Sequence, residues 1–115
     1  ACPDRPVINL QADGSAMYTV QSLWTQAQAG MNVTTLICSN RSYNIINVEL
    51  QRTGIADASP RVRAFTNLGT PPIDWPSLSR GLGVPGVAVE TCEDLARELK
   101  KALREPGPHL IEMVL

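Results

Sequence analysis

The sequence predicts an α/β fold: one parallel β-sheet with helices on both faces. Short apolar runs rich in β-branched residues recur along the chain, and stretches with helical spacing separate them. Glycine, proline or a capping residue marks most of the joints. That alternation of strand and helix belongs to parallel sheets. The 115 residues allow one small domain, and 43% hydrophobic residues, 18% charged residues and a net charge of −1 describe an ordinary globular chain. No basic surplus points to nucleic acid. No apolar run approaches the roughly 20 residues needed to cross a bilayer, so no membrane partner is expected and the chain reads as cytoplasmic.

The elements follow in order. Val7 to Gln11 is a short apolar run that fits a buried strand. Ala16, Val20, Leu23, Trp24 and Ala27 then share one helical face, and Gly30 is a natural stop, which predicts a helix from Ser15 to Ala29. Val33 to Ser39, "VTTLICS", is the second strand, with Cys38 read as a small buried apolar residue. A second helix begins near Tyr43 and carries Ile45, Ile46 and Leu50, with Gly54 beyond it. Its two isoleucines are expected to pack on the core, the alternative being an apolar wall of a substrate pocket. Residues 53 to 73 show no period and carry three prolines and two glycines, so they predict a long surface excursion.

Asp74 is placed to cap a short helix in "WPSLSRGLG", with Pro76 in its first turn and Gly81 and Gly83 ending it. Gly86 to Val89 predicts a third strand. Thr91 and Asp94 resemble a capping box before an apolar stripe of Leu95, Leu99, Ala102 and Leu103. The charges of "ELKKALRE" form the solvated side of that helix, "EPGPH" breaks it, and Leu110 to Leu115 is the last strand. His109, the one histidine, reads as structural. Cys2, Cys38 and Cys92 are odd in number and far apart, which suits reduced thiols better than a disulfide framework or a paired-cysteine metal site.

In a parallel sheet, ligands bind beyond the carboxyl ends of the strands. Two such ends carry matching chemistry here: Asp13, Gly14 and Ser15 in "QADGS", and Asn40, Arg41, Ser42 and Tyr43 in "SNRSY". A carboxylate, a carboxamide and a carbonyl suit magnesium, which takes hard oxygen donors and shares phosphate oxygens with its ligand. Gly14 permits close backbone approach, Ser15 offers a hydroxyl, and a helix starting there presents free N–H groups to a phosphate. The pair of motifs therefore suits a metal-bound diphosphate.

These residues resemble the thiamine-diphosphate-dependent enzymes that include acetolactate synthase large subunits and benzoylformate decarboxylase. The family signature runs Gly-Asp-Gly, a spacer, then Asn-Asn; here "ADG" is followed by "SN", and Asp13 to Asn40 is 40 − 13 = 27 positions, the spacing of the family's two side-chain magnesium ligands. The resemblance extends through "DGSAMYTVQSLWTQAQ", "PIDWPSLSRGLGV" and "GPHLIEMVL", nearly the whole chain. It implies Mg2+ held by Asp13, Asn40 and the main-chain carbonyl of Ser42, with thiamine diphosphate contacted by Gly14, Ser15 and Tyr43. Two positions depart from the signature: Ala12 stands for its first glycine and Ser39 for its first asparagine. Ala12 matters if that position needs a positive φ or touches the cofactor.

Full enzymes of the family are several times longer. The chain, which starts Ala1-Cys2-Pro3, is therefore expected to be a fragment, a single partial C-terminal domain over residues 1–115. The N-terminal domain, whose glutamate activates the cofactor, and the middle domain, which holds FAD in acetolactate synthases, would be partners from the parent chain. Alone, the fragment should not turn over. The implied parent reaction is acetolactate synthase-like, with decarboxylation of a small 2-oxo acid and transfer to a second carbonyl. The alternatives are a benzoylformate decarboxylase-like enzyme that does not ligate, a family member without catalysis, and a generic flavodoxin-like phosphate binder. Apolar surface left by the absent domains should drive homo-oligomerisation.

Overall fold

The computed structural model describes residues 4–55 and 59–115. Cys2 and positions 56–58 of the expected excursion lie outside them. Four parallel strands form one sheet in the order β1-β2-β4-β3, where β1 is Val7–Ala12, β2 Val33–Ser39, β3 Gly86–Val89 and β4 His109–Val114. The strands match the expected ones to within a residue at either end. Among the described residues no helix is long and apolar enough to cross a membrane.

Register divides the side chains between two faces, because successive residues of a strand point to opposite sides. On one face Ile37 of β2 and Leu110 of β4 pack with Ala16, Leu23, Trp75 and Val84. These come from α1 (Asp13–Ala16), α2 (Ser22–Gln28) and α5 (Trp75–Gly81), together with the turn that follows α5. On the other face Leu36, Ile111 and Val89 meet Ala102, Leu95 and Leu99 of α6 (Cys92–Ala102). The sheet is thus covered on both faces, as the sequence predicts. Coverage stops short of β1, where Ile8 and Leu10 are 50% and 65% exposed at the sheet edge.

The caps at α5 and α6 behave as read. Asp74 accepts a hydrogen bond from the Ser77 N–H at 2.9 Å, and Thr91 accepts one from the Asp94 N–H at 3.1 Å. The Thr91 hydroxyl also donates to the Asp94 carboxylate at 2.8 Å, so the acid engages the cap's side chain and not its backbone N–H as in a full capping box. Gly83, at φ +83°, turns the chain out of α5 in a conformation that side chains resist.

Several expectations need correction, among them the burial of β1, which as the edge strand has no buried residue. The helix predicted from Ser15 to Ala29 is two helices, α1 and α2, joined by tight turns in which Tyr18, Thr19, Ser22, Leu23 and Trp24 each donate three residues back. Adjacent β-branched Thr19 and Val20 disfavour a continuous helix there. Ala16, Val20, Leu23 and Ala27 still face the core, whereas Trp24 is 53% exposed. The excursion from Thr53 contains a helix, α4 (Pro60–Thr66), with Ser59 as cap and Pro60 in its first turn. Seven residues, of which only Thr66 is buried, are too few to print an apolar period.

Finally, α3 (Asn44–Arg52) exists where expected but buries no residue. It leaves the strand ends and runs beside α4, not over the sheet, so Ile45 and Ile46 are solvent-exposed and do not pack on the core. Cys38 is half-buried, because the face it shares with Ile8 and Leu10 is uncovered there.

The contact between α5 and β3 is the tightest helix–strand seam. A Cβ on Gly86 would stand 2.1 Å from the Ser79 Oγ and 3.0 Å from the Pro76 Cα. The Pro76 backbone cannot rotate aside, so Gly86→Ala should destabilise the chain by about 1–3 kcal/mol. A lowered urea midpoint with unchanged slope checks this.

Candidate functional site

β1 ends at Ala12 and β2 at Ser39, and both loops leave the same end of the sheet because the two strands are parallel neighbours in register Ala12↔Cys38. Asp13 follows Ala12 directly and is 1% exposed. Its Oδ1 accepts the Gly14 N–H at 2.8 Å and its Oδ2 accepts the Arg41 N–H at 2.6 Å. The carboxylate therefore joins the two loops. To aim its N–H at Asp13, Arg41 adopts φ 56°, a left-handed conformation uncommon for a residue with a side chain.

Asn40 accepts the Ser42 N–H on its Oδ1 at 3.0 Å, which sets the tight turn after β2. The Ser42 hydroxyl donates to the Thr66 carbonyl at 3.1 Å and accepts from the Asn47 amide at 3.1 Å. Tyr43 N–H donates to Thr66, and Leu68 N–H donates to the Arg41 carbonyl. These bonds clamp the loop to the end of α4 on both sides of Ser42. The Ser42 carbonyl itself accepts no hydrogen bond among the described residues.

Tyr43 lies over Gly14, whose added Cβ would come within 2.6 Å and 2.7 Å of two ring carbons. The two sequence motifs are thus in direct contact through Asp13–Arg41 and Gly14–Tyr43. Ser15 is exposed, and its hydroxyl turns back to the Ala12 carbonyl at 3.0 Å. The helix expected to face a phosphate is α1, a single turn of four residues. Loose backbone N–H groups, and not a long helix dipole, are what this corner offers an anion.

The departures from the signature fit locally. Ala12 sits at φ −80° and ψ 153°, ordinary extended backbone, so no positive φ is required of it. Ser39 is buried on the same sheet face as Glu112 of β4, and its hydroxyl acts to lower the pKa of that carboxyl. Glu112 is a buried carboxylate that sequence reasoning missed, although a lone acid inside "LIEMVL" is a legible signal. Burial raises its pKa most, the Ser39 hydroxyl and the Arg41 charge lower it, and the charges of Asp74 and Asp13 raise it. Thr66 and Arg41 were also missed as structural members of the site. Neither residue type signals that role.

Among the described residues no three His, Cys, Asp or Glu side chains gather as a metal-binding group. A cation here would have to use one carboxylate, the Asn40 amide oxygen and the Ser42 carbonyl, a hard-oxygen set that fits magnesium with further oxygens from a ligand or water.

The whole chain compares closely with known proteins. Residues 1–113 match the family described as thiamine pyrophosphate enzyme, C-terminal TPP binding domain. The chain belongs to that family. It is 46% identical over 116 residues to a Mycobacterium tuberculosis protein that carries the name "Putative acetolactate synthase large subunit IlvX", covering 100% of this chain and 22% of that one. It is 33% identical to the benzoylformate decarboxylase of Pseudomonas aeruginosa, over 98% of this chain and 20% of that protein. A solved structure, the thiamine diphosphate-dependent 4-hydroxybenzoylformate decarboxylase of Rhodococcus jostii RHA1, superposes with a TM-score of 0.85 at 34% identity, over 97% of this chain and 20% of that one. The chain therefore spans about a fifth of the length of these relatives.

Two predictions follow from the geometry. Gly14→Ala should push the Tyr43 ring aside and destabilise by about 1–3 kcal/mol, and Tyr43→Ala in that background should recover part of the loss. Additive losses in a double-mutant cycle would remove the Gly14–Tyr43 contact from the account. Glu112, with its folded pKa above the ordinary glutamate value, adds stability that is complete below that value and is lost as pH rises through the folded pKa. Glu112→Gln keeps an acceptor for Ser39 and should gain on the wild type as pH is raised from about 4 to about 7, read from urea midpoints at each pH.

Proposed function

We propose that this chain forms the magnesium- and diphosphate-binding half of an active centre in an acetolactate synthase-like enzyme acting on small 2-oxo acids. The observation that carries the reading is the Asp13 carboxylate, buried where two strand-end loops meet and held by backbone N–H groups of both. That fixes one charged oxygen ligand beside a free carbonyl at Ser42 and the amide of Asn40. The 46% identity to a protein named as an acetolactate synthase large subunit supports the reaction class.

In this reading Asp13, Asn40 and the Ser42 carbonyl hold Mg2+, while Gly14, Ser15 and Tyr43 receive the diphosphate. Bound thiamine diphosphate would supply the carbanion chemistry that side chains lack. The chain's own groups bind and orient: Asp13 supplies the negative charge, Gly14 keeps the backbone approachable, and the Tyr43 ring walls the corner. The remaining four-fifths of the relatives' length would bring the acid that activates the cofactor and most of the substrate pocket. Ile45 and Ile46, exposed on α3 and not packed on the core, are free to line such a pocket or meet another domain.

A second reading, a decarboxylase that does not ligate, is favoured by the TM-score of 0.85 to a 4-hydroxybenzoylformate decarboxylase. Both readings share the same cofactor chemistry at Asp13.

Calorimetric titration of the chain with thiamine diphosphate, with and without Mg2+, tests the shared core. Binding should require Mg2+, and Asp13→Ala should weaken it at least tenfold, about 1.4 kcal/mol or more. Equal binding by that variant would remove Asp13 from the metal site.

A further inference from the structure

The inner side of β1 is polar where a buried parallel strand is usually apolar. Asn9 and Gln11 point toward α2, joined in a row in which the Gln11 amide donates to Asn9 at 3.1 Å and the Asn9 amide donates to the Thr35 hydroxyl at 3.5 Å. Between this row, α2 and α5 lies a partly open cavity with room for about 20 Å3 of water. Two buried polar atoms without a hydrogen-bond partner belong to residues that line it: Nε1 of Trp75 and Oε1 of Gln26. Trp75 is 1% exposed, so its indole N–H has no outlet to bulk solvent.

The chemistry of the lining narrows the occupant. An indole N–H only donates and an amide oxygen only accepts, so the guest must do both. No charged side chain lines the cavity, which disfavours an ion. A water needs roughly 10–15 Å3 of such space and two to four polar partners. At about 20 Å3 the cavity holds one water and no organic ligand.

We infer that this cavity is a built site for a single ordered water, which accepts from the Trp75 indole and donates to the Gln26 carboxamide. Its second hydrogen faces the Asn9–Gln11–Thr35 row. The water links three elements: the edge strand β1, the helix α2 that follows it, and the first residue of α5. It also explains the polar inner face of β1. A row of amides under a helix is stable only when its ends are satisfied. The inference is independent of the thiamine diphosphate reading.

Nuclear magnetic resonance on the 15N-labelled chain tests it. The Trp75 indole proton, assigned with Trp75→Phe, should show a cross-peak to water with the sign of a long-lived bound molecule; Trp24, which is 53% exposed, serves as the reference with only fast exchange. A slowly exchanging Trp75 indole proton with no such cross-peak would overturn the site. Gln26→Leu gives a second, opposite-signed readout. If water bridges the pair, that variant removes the cross-peak and lowers the melting temperature. If the cavity is dry, it replaces an unpaired oxygen by a methyl group, and the melting temperature rises.

Discussion

The buried Asp13 carboxylate is the interaction on which the strand-end corner depends. Two loops separated by 27 positions in sequence are drawn together because one oxygen takes the N–H of Gly14 and the other the N–H of Arg41. A carboxylate removed from water is stable only when its oxygens are engaged, so the fold must present those two N–H groups at the correct distance. Everything near it adjusts to that demand. Arg41 takes a left-handed backbone, Asn40 closes the turn with its own side chain, and Ser42 and Tyr43 are anchored on the Thr66 carbonyl. The helix α4 thus has a clear task although it buries almost nothing: its last residue fixes the loop that carries Asn40 and Ser42.

The parts legible in sequence were those governed by local rules. Strands appeared as β-branched runs, and the caps at Asp74 and Thr91 were readable because a side chain three residues from its partner N–H is a strictly local device. The pairing of the Asp13 and Asn40 loops was legible because a parallel crossover brings successive strand ends to one side of the sheet, and their 27-position spacing carried meaning only through the family resemblance. What stayed hidden was decided by tertiary context. The break between α1 and α2 leaves the apolar spacing almost intact, so period alone reports one helix. Ile45 and Ile46 have the spacing of a core stripe, yet α3 has no sheet beneath it. An apolar residue reports only that it is to be covered, and when a chain spans about a fifth of its relatives' length the cover can belong to another part of the molecule.

The two departures from the family signature also find a physical place. An alanine in extended backbone at position 12 asks nothing that a methyl group forbids. Ser39 gives up the reach of an asparagine and lies on the sheet face of Glu112, whose pKa it acts to lower. The groups proposed to face a metal, Asp13, Asn40 and the Ser42 carbonyl, are at neither of these positions. This argues against reading the departures as loss of the site.

Electrostatics give the strongest reason for a cation at this corner. Asp13 and Asp74 both act on Glu112 near the carboxyl ends of the strands, with Arg41 as the opposing charge. Burial first, and then the neighbouring acids, raise the pKa of Glu112 above the ordinary glutamate value. A divalent ion bound at Asp13 would reverse that balance, since added positive charge favours every carboxylate in its ionised state. In the proposed site, Mg2+ would then be favoured by the same acids that raise the pKa of Glu112, and a diphosphate would complete the neutralisation from the solvent side.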